Sequence, residues 1–264
     1  MAFTQELPRA LSPSRLGDFQ SCPRKYQYGS IERIPQPQTR ATAKGRFAHF
    51  VFENLFKLAG PERTLDAARS FVDGARDATF DEATRTDLNA DDALLESMTG
   101  EVELIIDSYF AMEDPTKVTV EGIERPVRVT IDGAPLYGIL DRLDRDPDGS
   151  LVIVDYKTGR APKGQWAERA FANTELYAAL VQADPEIGEL PTKIRLLYVN
   201  EGVVHPKDVT PIVANARAAA ATGAWKKITE FYERGEFTAT PSPSACRFCA
   251  YKDRCKASGV KVAE

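Results

Sequence analysis

Cys22 stands alone near the start of this chain, while Cys246, Cys249 and Cys255 stand together near its end. They are all four cysteines in 264 residues. A C-x2-C-x5-C group so far from a single thiol predicts four thiolates meeting at one metal centre, which ties the two ends of the fold together. The N-terminus lacks the basic start and apolar core of a signal peptide, so a cytoplasmic protein is expected. In a reducing compartment, four thiols serve as metal ligands more readily than as two disulfides. Zinc and iron–sulfur clusters both accept four thiolates, and spacing does not choose between them.

Composition narrows the function classes. No run approaches the roughly 18 apolar residues of a membrane helix, so no membrane association is expected; Leu151–Val154 has the length of a strand. The formal charge is −5, which excludes a surface coated in basic residues. Any nucleic-acid contact must therefore be local.

Along the chain, Ser12-Pro13 reads as an N-cap and first helical position, and Cys22-Pro23 ends that helix. Phe47, Val51, Leu55 and Leu58 recur at helical spacing, and two more helical segments are predicted near residues 64–80 and 91–112. Asp81–Asp92 reads as an acidic join, and Pro35-Gln-Pro37 as a loop. From about residue 117 the pattern changes to three strands, 118–131, 136–144 and 150–158, with turns at Asp132-Gly133 and Asp148-Gly149. A helix over 166–183, strands near 193–199 and 203–209, and a long helix over 211–233 complete a mixed α/β core. Gly-rich phosphate loops are absent from the sequence. We expect a single domain over 1–264, with a helical insertion at about 60–115, a sheet core at about 117–210 and the cysteine group at 240–258.

Chemistry-bearing residues gather on the predicted strands. Alternation puts Asp155 and Lys157 on one face near the end of their strand. If the hairpin turns at Asp148-Gly149, Asp141 falls level with both. Two carboxylates on adjacent strands suit Mg²⁺ or Mn²⁺, which prefer oxygen ligands and keep waters. A metal-bound water can attack a phosphodiester, with Lys157 holding that water or offsetting transition-state charge. Gly138 is expected to leave space beside the site. His49 opens an apolar helix, with Glu53 one turn later on the same face.

Five segments taken in order resemble the PD-(D/E)XK nuclease superfamily, and within it RecB-type exonucleases carrying an iron–sulfur cluster. AddB-like helicase–nucleases and the nucleases of CRISPR spacer acquisition are related examples. The segments are Ser12-x-Ser14-x-Leu16-x-x-Phe19-x-x-Cys22-Pro23-x-Lys25-Tyr26, Gly45-x3-His49-x3-Glu53, Gly138-x-x-Asp141-Arg142-x-Asp144, Asp155-Tyr156-Lys157-Thr158-Gly159 and the C-terminal cysteines. The resemblance implies a restriction-endonuclease-like core, in which a central mixed sheet is flanked by helices. It implies His49, Asp141, Asp155 and the Tyr156 backbone carbonyl as metal ligands, and Lys157 as the catalytic lysine. Cys22, Cys246, Cys249 and Cys255 would hold a 4Fe–4S cluster clamping both termini. Many relatives carry Gln-x-x-x-Tyr after the lysine strand, where this chain has Asn173-x-x-x-Tyr177. Asparagine makes the same kinds of hydrogen bond over a shorter reach. Glu53, Arg142, Asn173 and Tyr177 are thus expected to position substrate.

The function implied is a metal-dependent DNA exonuclease acting on single strands or ends in repair or recombination. No Walker motif is present, so helicase activity would come from a partner. Arg24, Lys25, Arg46, Arg247, Lys252 and Arg254 are the expected phosphate contacts, with Tyr26, Tyr28, Tyr156 and Tyr177 as candidates for base stacking. Two other classes stay open: a non-catalytic DNA-binding module stabilised by its cluster, and a zinc-stabilised adaptor that binds protein.

Overall fold

The computed structural model describes residues 3–259. Its centre is a five-stranded sheet in the order β1-β2-β3-β4-β5, made of Val120–Ile131, Ala134–Arg145, Leu151–Lys157, Lys193–Tyr198 and Val203–Asp208. The first three strands form an antiparallel meander. Its first turn has Asp132 and Gly133 both at positive φ (47° and 79°), as a tight turn matched to strand twist requires. β3 runs parallel to β4, and β5 returns antiparallel, so the sheet is mixed as expected.

β3 divides the interior. Leu151 and Ile153 join one apolar core, in which Leu16 and Phe19 of α1 (Pro13–Ser21) and Ala221 and Ile228 of α10 (Pro211–Glu233) are buried. Val152, Val154 and Tyr156 join the other, formed with α3 (Arg40–Lys57), α4 (Leu65–Ser70), α5 (Val72–Thr79) and α7 (Asp92–Met112). A strand buried on both faces explains the uninterrupted Leu-Val-Ile-Val run.

Two elements differ from the sequence pattern. The expected join at Asp81–Asp92 contains a short helix, α6 (Glu82–Leu88), because Asp81 accepts from the Thr84 N–H (2.8 Å) and Asn89 closes it at φ 47°. The helix expected over 166–183 is two helices, α8 (Gln165–Ala170) and α9 (Ala172–Ala183), meeting at Phe171. Phe171 is buried in the first core while Trp166 of α8 is 58% exposed, so the chain bends to bury one ring without the other.

The chain ends meet. The Thr240 N–H donates to Cys22 Sγ (3.4 Å), and the Tyr251 hydroxyl donates to the Ile34 carbonyl (3.2 Å). Among the described residues, no helix is long and apolar enough to cross a membrane.

Candidate active site

α3 begins with a reciprocal cap in which Thr39 and Thr42 satisfy each other's backbone amides. Burial of Phe47, Val51, Phe52 and Leu55 fixes its rotation, which turns His49 and Glu53 toward the rim of the sheet. His49 Nε2 lies 3.0 Å from the Tyr156 carbonyl. A carbonyl only accepts, so Nε2 carries the proton and Nδ1 is left as the ligand atom, 3.6 Å from Asp141 Oδ2. The Tyr156 N–H donates to Asp141 Oδ2 at 3.0 Å. One residue of β3 thus orients both His49 and Asp141.

Asp141 lies opposite Asp155 in the β2–β3 register, which pairs Arg142 with Val154. The Asp155 carboxylate, however, is engaged by Lys157 Nζ in an ion pair. His49 and Asp141 converge instead with Glu124 of β1, the ligand atoms of all three lying within 4.8 Å of one another. One imidazole and two carboxylates in that space fit a divalent cation that tolerates mixed nitrogen and oxygen donors.

Glu124 was not expected from the sequence. Its backbone explains why: φ is +41°, in the left-handed region rarely occupied by residues other than glycine. The strand changes faces there. Ile123 packs against the helical core, whereas Val127 and Val129, on the same face by strict alternation, belong to the opposite core. β2 changes faces at Asp141, with Leu140 in one core and Arg142 in the other. The paired irregularities aim two acids at one pocket of about 530 Å³, also lined by Arg46, Glu53 and Ile139.

Burial dominates the site's electrostatics. It pushes Glu124 up to about 7, with the Asp141 charge adding to the shift. It pushes Asp141 up to about 6, helped by Asp155 and opposed by His49. For Lys157 burial acts downward, but Asp155 and Asp141 outweigh it and hold the ammonium above its ordinary value. Such a lysine stabilises negative charge better than it takes up a proton.

The other expected residues divide. Tyr177 packs on Gly138 so closely that an added Cβ would lie 2.3 Å from its Cε1, so this glycine seats the ring and leaves no open space. Burial pushes the Tyr177 hydroxyl up to about 12, with the Asp141 and Asp155 charges contributing. Asn173 is exposed and faces Gly17 of α1, one turn from Tyr177. Glu53 pairs with Lys57 (2.6 Å) at the pocket's edge.

Arg142 does not reach the surface. It is 0% exposed, ion-paired to Asp144 and Glu113 at 2.9 Å each, and lies over the Phe56 ring. The rings of Tyr26 and Tyr156 are likewise buried, which removes them as stacking platforms. Arg46 donates to Thr84 Oγ1 (3.4 Å) and the Thr79 carbonyl (3.5 Å). Lys25 pairs with Asp18 (2.7 Å) and Arg24 with Glu236 (3.8 Å). Arg247 lies over the Phe248 ring and Arg254 over Tyr28.

All four cysteines line one cavity between α1 and the C-terminal segment, alongside Arg24, Lys25 and Lys252. Burial pushes the Cys22 thiol up, but N–H donors from Thr240, Lys25 and Arg24 prevail and leave it below the ordinary thiol range. Among the described residues, no three of the sulfurs lie within 4.8 Å of one another.

The family model of the PD-(D/E)XK nuclease superfamily matches residues 10–256. This chain belongs to that superfamily. It is 31% identical over 164 residues to a subunit of the ATP-dependent helicase/deoxyribonuclease from three Streptococcus agalactiae strains. That alignment takes in 59% of this chain and 15% of each relative, so the chain spans only a small part of their length. It is also similar to the crystal structure of SSO0001, at 13% identity and a TM-score of 0.46, over 97% of this chain and 89% of the other. The matched range contains Asp141 on β2 and Asp155 and Lys157 on β3.

Proposed function

We propose that this PD-(D/E)XK protein is a divalent-cation-dependent DNA exonuclease that acts on single-stranded DNA or DNA ends. The observation that carries the reading is the convergence of His49, Glu124 and Asp141 beside the Asp155–Lys157 pair. A bound Mg²⁺ or Mn²⁺ would supply Lewis-acid stabilisation and an activated water. His49 Nδ1, Asp141 and Glu124 would hold it, with Asp155 available once Lys157 turns to the substrate. The protonated Lys157 places positive charge where the phosphoryl oxygens gain negative charge. Tyr156 keeps His49 and Asp141 in place through its main chain.

Cys22, Cys246, Cys249 and Cys255 are proposed to hold a 4Fe–4S cluster. The lining of one cavity by all four thiols supports a shared centre. Work alongside a helicase in repair or recombination is proposed from the similarity to the helicase/deoxyribonuclease relatives.

The test is cleavage of end-labelled and circular DNA, single- and double-stranded, with Mg²⁺ or Mn²⁺. Degradation of linear but not circular single strands, abolished by EDTA, is expected. Equal cleavage of circles would remove the exonuclease reading, and no cleavage of any substrate would remove the nuclease reading.

A further inference from the structure

A second cleft adjoins the metal pocket. It measures about 510 Å³ and is lined by Arg9, Ser12, Ser14, Arg15, Arg128 and Tyr137, with Gly138, Ile139 and Tyr177 forming the wall toward the catalytic residues. Ile139, 41% exposed, lines both cavities, so the two lie side by side against its side chain. Tyr177 stands in the cleft and packs on Gly138, three residues before Asp141 on β2.

The charge of this cleft stands against that of the molecule. The protein carries −5, and many of its arginines are neutralised; Arg125, on the same strand as Arg128, pairs with Asp184 and Glu186. Among the described residues, Arg9, Arg15 and Arg128 have no carboxylate within ion-pairing distance. The Arg15 guanidinium donates to the Ala10 carbonyl (3.4 Å), and Arg128 lies over the Tyr137 ring at 4.6 Å. Three exposed cations left unneutralised on one cleft of an acidic protein call for an anionic occupant. A guanidinium stacked on an aromatic ring offers phosphate donors at its edge and a flat outer face for a base.

We infer that Arg9, Arg15, Arg128 and Tyr137 form a binding track for one strand of nucleic acid, holding the phosphates next to the bond cleaved at His49, Glu124 and Asp141. The inference deepens the nuclease reading and rests on it for the direction of the strand past Ile139. A single strand suits a cleft of this size, and the exposed Ile139 side chain sits where successive bases would pass.

The experiment is fluorescence-anisotropy titration of a labelled single-stranded oligonucleotide with the full chain in EDTA, over a salt series. The variants are the Arg9→Ala/Arg15→Ala/Arg128→Ala triple, the corresponding lysine triple, and an Arg69→Ala/Arg76→Ala/Lys117→Ala triple that removes equal charge from elsewhere. The cleft alanine triple should weaken binding roughly tenfold or more at 0.1 M salt and reduce the log–log salt slope by about 2, as loss of three phosphate contacts to a single strand predicts. The lysine triple should recover the slope, and the distant triple should bind like the wild type. Unchanged affinity and slope in the cleft triple, equal losses in the distant triple, or no binding by the wild type would each overturn the track. A parallel cleavage assay with Mg²⁺ or Mn²⁺ separates the two claims. Arginine-dependent binding without cleavage sinks the nuclease reading alone, and cleavage with arginine-independent binding sinks the track alone.

Discussion

Arg142 Nη1 donates to the Tyr156 hydroxyl across 2.7 Å, joining a fully buried charge to the strand that carries Asp155 and Lys157. Behind the sheet this arginine is also bound to Asp144 and Glu113. In front of it, the Tyr156 main chain holds His49 and Asp141. The core network and the His49–Asp141 rim thus share one residue. Arg142→Met leaves two carboxylates without their cation, and unfolding in urea should show a loss of about 3–5 kcal/mol. Tyr156→Phe removes one bond to a charged donor and should cost about 1.5–3 kcal/mol. A neutral Arg142→Met variant would mean that the network is not coupled to folding.

Lys157→Ala should lower the rate of DNA cleavage at saturating substrate at least about 100-fold, a typical loss for an electrostatic transition-state contact. The fold should stay intact, as checked by circular dichroism. Full activity without this ammonium would remove it from the chemistry.

Glu124→Gln carries two effects of opposite sign. Divalent-cation affinity, measured by calorimetry, should fall about tenfold or more. Metal-free stability at pH 8 should rise by roughly 1 kcal/mol, since a carboxylate held near Asp141 no longer has to ionise. Destabilisation together with unchanged cation binding would place Glu124 outside the metal site.

The raised values of Glu124 (about 7) and Asp141 (about 6) set a pH dependence. In the folded protein these carboxyls keep protons that the unfolded chain releases near pH 4. Native protein therefore binds more protons between about pH 4 and 7, and metal-free stability falls as pH rises through that window. A cation must displace those protons, so its affinity should increase over the same range, with proton release visible as a buffer-dependent heat. Affinity that is flat from pH 5 to 8 would contradict this.

Gly138→Ala forces a Cβ to within 2.3 Å of the Tyr177 ring and should cost about 1–3 kcal/mol. Combining it with Tyr177→Ala should give less than the sum of the two losses, because the clash disappears with the ring. Strict additivity would mean that the contact is absent in solution.

Much of the fold was legible because strand alternation, turn residues and caps act locally. The Asp132-Gly133 hairpin and the Ser12-Pro13 helix start needed only their neighbours. The nearness of Asp141 to Asp155 and Lys157 was legible because β2 and β3 are joined by one hairpin. Arg142 misled because an arginine between two aspartates reads as exposed, and only the packing of Tyr109, Tyr156 and Phe56 makes it an interior cation. Arg9, Arg15 and Arg128 carry no local mark at all; they gather because the segment before α1 bridges to β2 at Leu136.

Periodicity, turn chemistry and motif order specify a mixed α/β nuclease core with its acids and lysine on neighbouring strands, since each of these depends on contacts between nearby residues. The choice of Glu124 as the third group beside His49 and Asp141, and the burial that raises its pKa, arose only when a strand bent out of its regular alternation between two cores. That bend follows from long-range packing, which no window of sequence contains.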